Sequence, residues 1–270
     1  MNYHVATVLS DEGDIGFTEF LEKSCNFFHI PLHRLKAPGN YTTHQVKDQL
    51  LLSLIKKLPD HDVILFVDGY DSLFLAPLEE VIEKFNQVES EAVFSAEMTC
   101  WPDPTVRSHY ENLSGINCTS PYRYLNSGGF IGRTGFIRQV LDMPIEIPKE
   151  YAWSNQYAWT LRFLRTWPDI KLDHTCEIFF VTSINLEKVK LFYGDMGSFT
   201  GKRIDFYHPE FIKEGLKGIM DQMGYENRRI ISKLTGSNPC HLHLNSSVGK
   251  VLMKSEFLRA ILPWSRVNMT

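Results

Sequence analysis

Residues 62–75 read DVILFVDGYDSLFL, and this stretch decides the fold. Val63, Ile64, Leu65, Phe66 and Val67 form an unbroken apolar run that ends at Asp68-Gly69-Tyr70-Asp71. A short apolar run closed by Asp-Gly reads as a buried strand stopped by a turn. A strand apolar on both faces belongs in a predominantly parallel sheet covered by helices. Ligands of open α/β sheets gather at the carboxyl ends of such strands. Asp68 and Asp71 stand at that edge, and a turn would hold their Cα atoms within about 7 Å. Two carboxylates that close can share one cation. The same four residues also read as an ordinary turn followed by a solvated aspartate.

Working outward, residues 3–9 form the expected first strand, and Asp11 is placed to cap a helix carrying Phe17, Phe20, Leu21 and Phe27. Residues 30–35 read as a second strand, and 44–58 as a helix with Leu51, Leu54, Ile55 and Leu58 on one side. Pro77 opens another helix, and residues 92–96 form the next strand. Strands alternating with helices indicate an α/β domain. Residues 100–124 carry Pro102, Pro104, Gly115 and Pro121 without periodicity, which predicts a structureless lid or binding loop. Residues 124–132, YLNSGGFIG, predict a turn entering a strand. Gly128 and Gly129 remove side chains where something approaches the backbone closely, or mark a β-bulge. The spacing of Trp153, Tyr157, Leu161 and Leu164 predicts a helix over 151–165. The apolar stripe over 211–234 predicts a helix or a pair of helices. Residues 240–245 predict a last short strand with His241 and His243 on one face.

The 270 residues carry no internal repeat and no linker, so they read as a single domain over 1–270 with a helical insertion at about 211–234. A 43% hydrophobic content supplies an ample core. The net charge of −4 gives no global basic field, which argues against nucleic acid as a partner. No apolar run approaches the roughly 20 residues of a membrane span. The amino-terminal residues lack the basic and apolar regions of a secretory signal. The chain as given therefore reads as cytoplasmic, or as lumenal in the endoplasmic reticulum if a signal has been removed. Five scattered cysteines without a Cys-x-x-Cys pair argue against a zinc site or a disulfide framework. The dinucleotide fingerprint, the phosphate loop and the His-Glu-x-x-His motif are all absent.

An ordered set of short segments carries a resemblance. Residues 63–71, Val93-Phe94-Ser95-Ala96-Glu97 with Cys100-Trp101-Pro102, and 125–132 are similar to the glycosyltransferase domain of the procollagen lysyl hydroxylases. Procollagen galactosyltransferases share part of this pattern. Val5-Ala6-Thr7, Leu172-Asp173-His174 and His243-Leu244-Asn245 fall in the same order. The resemblance implies a GT-A fold, a single Rossmann-like nucleotide-binding domain using manganese and a UDP-sugar, most simply UDP-glucose. It implies retaining glucosyl transfer to galactosyl-hydroxylysine of collagen. Asp68, Asp71 and His243 would be the metal set. Thr7, Tyr70, Asp68, Ser127, Asn245 and Lys250 would hold the nucleotide sugar. Asn126, Trp101 and Asn155 would face the reacting sugars. A divalent cation suits such a donor, because it neutralises the diphosphate leaving group and orients it. Two carboxylates with one imidazole tilt the choice toward manganese.

The chain departs from the family at Trp153-Ser154-Asn155-Gln156, where the family has an acidic run ending in Asp-Gln. Asn155 can hydrogen-bond a sugar but carries no charge. Three further readings therefore stand beside glucosyl transfer. They are galactosyl transfer to hydroxylysine, a nucleotide-sugar hydrolase or nucleotidyltransferase on the same scaffold, and a non-catalytic sugar-binding module. The apolar stripe over 211–234 also suggests a homodimer, since symmetric dimers are the commonest soluble oligomers.

Overall fold

The computed structural model describes residues 1–39, 43–113, 118–184 and 208–265. Strand β1 (Tyr3–Leu9) leads into a π-helical turn (Phe17–Leu21) continued by α1 (Glu22–Phe27). Asp14, not Asp11, starts this helix. Its Oδ1 accepts from the Gly16 N–H at 2.7 Å and its carbonyl from the Thr18 N–H at 2.9 Å. Asp11 closes only the preceding turn, accepting from Gly13 N–H at 2.8 Å. There follow β2 (Leu32–Lys36), α2 (Gln45–Ile55), β3 (Val63–Val67), β4 (Ser72–Phe74), α3 (Leu78–Gln87) and β5 (Ala92–Glu97). The second half runs α4 (Arg107–Glu111), β6 (Tyr124–Arg133), α5 (Thr134–Leu141), α6 (Asn155–Thr166), β7 (Ile170–Asp173) and β8 (Phe179–Val181). After the undescribed residues come α7 (Pro209–Gln222), β9 (Met223–Glu226), β10 (Arg229–Ser232), β11 (His241–His243), α8 (Ser246–Met253) and α9 (Glu256–Ile261).

The main sheet has the order β2-β1-β3-β6-β5-β7. The pairs β1–β2, β1–β3 and β5–β7 are parallel, whereas β6 runs antiparallel to both its neighbours. Strand β3 is buried throughout, as its sequence requires. Its pleat sends Ile64 and Phe66 into one core with Leu51, Ile55, Trp159 and Phe163. Val63, Leu65 and Val67 enter the other core with Phe17, Leu21, Val81 and Phe85. Each such side chain contributes about 1.5–3 kcal/mol by leaving water. Phe130 stacks between Phe94 and Phe66, at centroid distances of 4.5 and 5.3 Å, and ties the reversed strand into the first core. Edge strand β2 is polar and half-exposed, which suits an unpaired edge.

A second sheet, β4-β11-β8, sits at the carboxyl edge of β3. Strand β11 pairs antiparallel with β4 and parallel with β8, and His243 stands opposite Ser72.

Two expected segments differ from the sequence reading. The loop expected over 100–124 contains α4, which buries Tyr110 against Phe163 at a centroid distance of 5.4 Å. One turn of helix is too short to show a periodicity. Residues 114–117 of this expected lid lie outside the described residues. The stripe over 211–234 is helical only to Gln222 and continues as the hairpin β9–β10. Its two-residue turn, Asn227-Arg228, has positive φ at both positions (51° and 65°), matching a primed hairpin turn. Within the protomer, the stripe buries Phe211, Ile219, Met223 and Ile230. Gly215 packs directly against Val248 of α8.

Candidate active site

The turn after β3 points Asp68 and Asp71 over the sheet edge, and Ser72 closes it by donating from Oγ to the Asp68 carbonyl at 2.5 Å. The Leu244 N–H donates to the Asp71 carbonyl at 2.7 Å, so the β4–β11 pairing delivers His243 to the same place. One ligand atom from each of Asp68, Asp71 and His243 lies within 4.8 Å of the others. His243 Nε2 is 3.2 Å from Asp71 Oδ1 and 3.8 Å from Asp68 Oδ2. Hard oxygen donors with one imidazole fit a divalent transition cation such as manganese.

Positive groups already offset the two carboxylates here. Burial opposes ionisation of Asp71, but the His243 ring, with Lys250 and Lys47 beyond it, holds the carboxyl well below its usual range. Burial likewise pushes His243 down, yet Asp71 and Asp68 outweigh it and hold the imidazole above its ordinary value. Lys47 Nζ lies 2.5 Å from Asp68 Oδ1.

The opposite side of His243 is fixed by an amide and a carboxylate. His243 Nδ1 donates to Asn126 Oδ1 at 3.2 Å, which leaves Nε2 facing the two aspartates. Asn126 Nδ2 in turn donates to Glu97 Oε1 at 3.1 Å. Gln156 Nε2 donates to the same oxygen at 2.6 Å, and Asn245 Nδ2 reaches Oε2 at 3.4 Å. Burial pushes the Glu97 carboxyl up to about 7, despite the hydrogen bonds from Asn126 and Gln156 that favour its charge. Gly128 makes the arrangement possible, because a Cβ there would collide with the His243 ring. A register shift between β5 and β6 at Phe94/Ser95 accompanies it, so close approach and bulge coexist at this glycine pair.

The structure brings most of the expected residues to one cavity of about 410 Å³. Its walls include Asp68, Tyr70, Asp71, Trp101, Asn126 and Ser127. Asn155, His243, Asn245 and Lys250 line it as well. Tyr70 is anchored by its hydroxyl oxygen, which accepts from the Ser10 and Asp11 N–H groups at 2.6 and 2.8 Å. Thr7 is not brought to the cavity wall: it is fully buried beneath Gly69, and its hydroxyl has no hydrogen-bond partner. His241 lies apart between Phe74 and Phe179, at centroid distances of 5.5 and 5.8 Å, with neither ring nitrogen hydrogen-bonded. Burial drives it down to about 3.

Asn155 lines the cavity but is committed at its back. Its Nδ2 donates to Asp48 Oδ1 at 3.4 Å, in a buried cluster where Trp159 Nε1 and Arg162 Nη1 also donate to Asp48. Asn155→Asp would therefore face a second buried carboxylate balanced by a single guanidinium. We expect it to cost about 3 kcal/mol of stability as well as altered turnover, both readable from thermal melts and initial rates. An unchanged melt would mean that the two side chains separate freely.

Sequence reasoning missed Lys47, Glu97 and Gln156. The first lies in a helix with no motif, and the other two gain meaning only through the donors and acceptors that folding places around them.

The family model for the PLOD GT domain matches residues 1–208. This chain belongs to that family. Human procollagen-lysine,2-oxoglutarate 5-dioxygenase 1 is 32% identical over 191 residues, covering 66% of this chain and 25% of that protein. The Drosophila melanogaster procollagen-lysine,2-oxoglutarate 5-dioxygenase is 39% identical over 84 residues, covering 31% of this chain and 11% of the relative. The chain thus spans at most about a quarter of these relatives. A glycosyltransferase involved in glycosylation of the major capsid of PBCV-1 superposes with a TM-score of 0.50 at 9% identity. That superposition covers 94% of this chain and 100% of the other. The PLOD GT domain here thus has a GT-A glycosyltransferase fold. Among the described residues, no helix is long and apolar enough to cross a membrane. His243, Asn245 and Lys250 lie beyond the matched residues.

Proposed function

We propose that this glycosyltransferase-family chain is a manganese-dependent enzyme. It transfers glucose from UDP-glucose, with retention, to galactosyl-hydroxylysine in a collagen-type acceptor. The observation that carries the reading is the convergence of Asp68, Asp71 and His243 at the carboxyl edge of β3, within 4.8 Å of one another. These three would hold the cation, which supplies Lewis-acid stabilisation to the departing diphosphate. Tyr70 offers its anchored ring to the uridine, with Thr7 supporting the floor from beneath Gly69. Lys250 and Lys47 carry positive charge beside the diphosphate. Ser127 and Asn245 line the sugar end, with Asn126 and Asn155 as hydrogen-bonding amides. A charged donor fits a cavity that brings Lys47 and Lys250 beside the three candidate ligands.

The test is incubation with manganese and a panel of UDP-sugars, with and without deglucosylated collagen peptide. Acceptor-dependent UDP release from UDP-glucose is the expected result. Release that ignores the acceptor would replace the reading with a hydrolase, and binding without turnover would replace it with a sugar-binding module. Trp101 stands on the wall of the cavity, 6.5 Å from Trp153 ring to ring. We expect Trp101→Ala to lower turnover about 10- to 100-fold while the melting temperature stays close to wild type. Unchanged kinetics would make Trp101 a surface aromatic only.

A further inference from the structure

Helix α2 sends two neighbouring charges to different places. Lys47 lines the cavity of the three candidate ligands, whereas Asp48 is buried between α2 and α6. Asp48 Oδ1 accepts from Trp159 Nε1 at 3.0 Å and from Asn155 Nδ2 at 3.4 Å, and Oδ2 accepts from Arg162 Nη1 at 3.1 Å. Arg162 Nη2 continues to the Leu141 carbonyl at 3.3 Å. The starts of the two helices are tied together as well. The His44 N–H donates to the Trp153 carbonyl at 2.8 Å, and Gln45 Nε2 donates to the Ser154 carbonyl at 3.0 Å. Asp48 and Asn155 therefore face each other across a fixed gap.

An asparagine amide accepts at one end and donates at the other, and its partners decide which end points where. Burial raises the Asp48 carboxyl, with Arg162 and the other donors working against it. Those partners fix its role, because an indole N–H and a guanidinium can only donate. Both Asp48 oxygens are therefore acceptors, and Asn155 meets them through Nδ2. That leaves Oδ1 as the polar atom that Asn155 gives to the cavity it lines. The side-chain amides of Asn126 and Gln156 line the same cavity but are bonded within the protein at both ends. Asn155 Oδ1 has no hydrogen bond among the described residues. Asp68 and Asp71 already bring two carboxylates here. An amide oxygen adds an acceptor without a third charge set against a diphosphate.

We propose that Asp48 is a positioning residue. It holds the Asn155 amide in one sense, so that an uncharged oxygen meets a hydroxyl of the sugar carried on the nucleotide. The assignment rests on the transferase reading above. An amide needs this support, because its reversed sense offers N–H groups where an acceptor belongs. A carboxylate at position 155 would not need it, because both of its oxygens accept. The pair therefore has a signature that packing alone lacks. Asn155→Asp should harm the chain while Asp48 is present and help it once Asp48 is gone.

The test uses the intact chain with manganese. Asp48→Leu combined with Arg162→Met removes the buried pair together and so leaves no unpaired guanidinium. Turnover of UDP-glucose should fall about 10- to 100-fold in this background. The melting shift given by manganese with UDP, which carries no sugar, should match that of the wild type. Adding Asn155→Asp should then return turnover to within about threefold of wild type, whereas the same substitution with Asp48 in place should lower both turnover and the melt. Asp48→Leu/Arg162→Met with wild-type turnover would overturn the assignment. So would a loss of the manganese–UDP shift, or a folded triple variant that stays as slow as its parent. If Asp48→Leu/Arg162→Met does not fold, hydrogen exchange in the wild type decides. The Asn155 side-chain amide protons, identified by their absence from Asn155→Ser, should exchange slowly with and without UDP-glucose. Exchange as fast as that of exposed asparagines would overturn the assignment. If the wild type turns over no UDP-sugar, the transferase reading falls and calorimetry of UDP-glucose against UDP takes over. A sugar contribution lost in Asp48→Leu/Arg162→Met and regained with Asn155→Asp keeps the assignment, and no sugar contribution in the wild type overturns it.

Discussion

Asp71→Ala is expected to abolish manganese-dependent transfer while leaving the metal-free fold within about 1 kcal/mol of wild type. Most of what Asp71 contributes to folding is backbone, through its carbonyl at 2.7 Å from the Leu244 N–H, and alanine keeps that bond. What alanine removes is the carboxylate 3.2 Å from His243 Nε2. Despite its burial, Asp71 is held ionised without a cation by the His243 ring and the lysines beyond it, so its loss relieves repulsion with Asp68 as it removes attraction. His243→Ala should be equally inactive. The measurement is a set of melts with and without manganese plus UDP. A ligand at about 100 times its dissociation constant stabilises by about 2.7 kcal/mol, and that increment should vanish in both variants. His241→Ala should keep the increment. Its ring nitrogens bond to nothing, so it should lose only packing between Phe74 and Phe179, about 1–3 kcal/mol in every condition. A full manganese increment in His243→Ala would sink the three-residue site.

Glu97→Gln is expected to trade activity for stability. The folded-state value of about 7 lies above the ordinary 4.5, so between those pH values the folded chain holds a proton that the unfolded chain has lost. Unfolding free energy therefore falls as pH rises through that window, by about 3 kcal/mol once pH exceeds 7. Glutamine carries no such cost. It also keeps an oxygen for Asn126 and Gln156, and gives up only the 3.4 Å contact with Asn245. At pH 8 the variant should melt roughly 5–10 °C above wild type, and at pH 4.5 the two should converge. Turnover should drop about 10- to 100-fold, because a neutral amide no longer supplies, through Asn126, the negative charge that raises the basicity of His243. A variant no more stable at pH 8 than at pH 4.5, relative to wild type, would mean that Glu97 is not buried as a costly charge.

The parts of the fold legible in the sequence were those written into local runs. Val63–Val67 announced a strand buried on both faces, and Asp68-Gly69 announced where it stops. The glycine pair announced a close approach, although only the fold shows that the approaching group is the His243 ring. Strand direction was not legible. β6 is buried on both faces, and such a strand looks the same whether it runs with or against its neighbours. The hairpin after Gln222 was hidden because Ile230 and Ile231 continue an apolar spacing that a helix would also satisfy. At the site, the metal set was placed through a family resemblance. Lys47, Gln156 and the role of Glu97 stayed invisible because they depend on partners far away in sequence. Asn155 was legible as a cavity residue, but Asp48 behind it was not.

The middle position of β11 in the small sheet bears on how this chain can be cut. A fragment ending at residue 208, where the family match ends, keeps both aspartates and both outer strands, β4 and β8. It discards the strand between them. The loss reaches past the imidazole, since Phe74 and Phe179 lose the ring that fills the space they share, and two apolar strands are left with bare edges. Exposed edges of that kind recruit other chains. Such a fragment would aggregate before it could be found inactive, and an expression boundary for this domain belongs beyond α8.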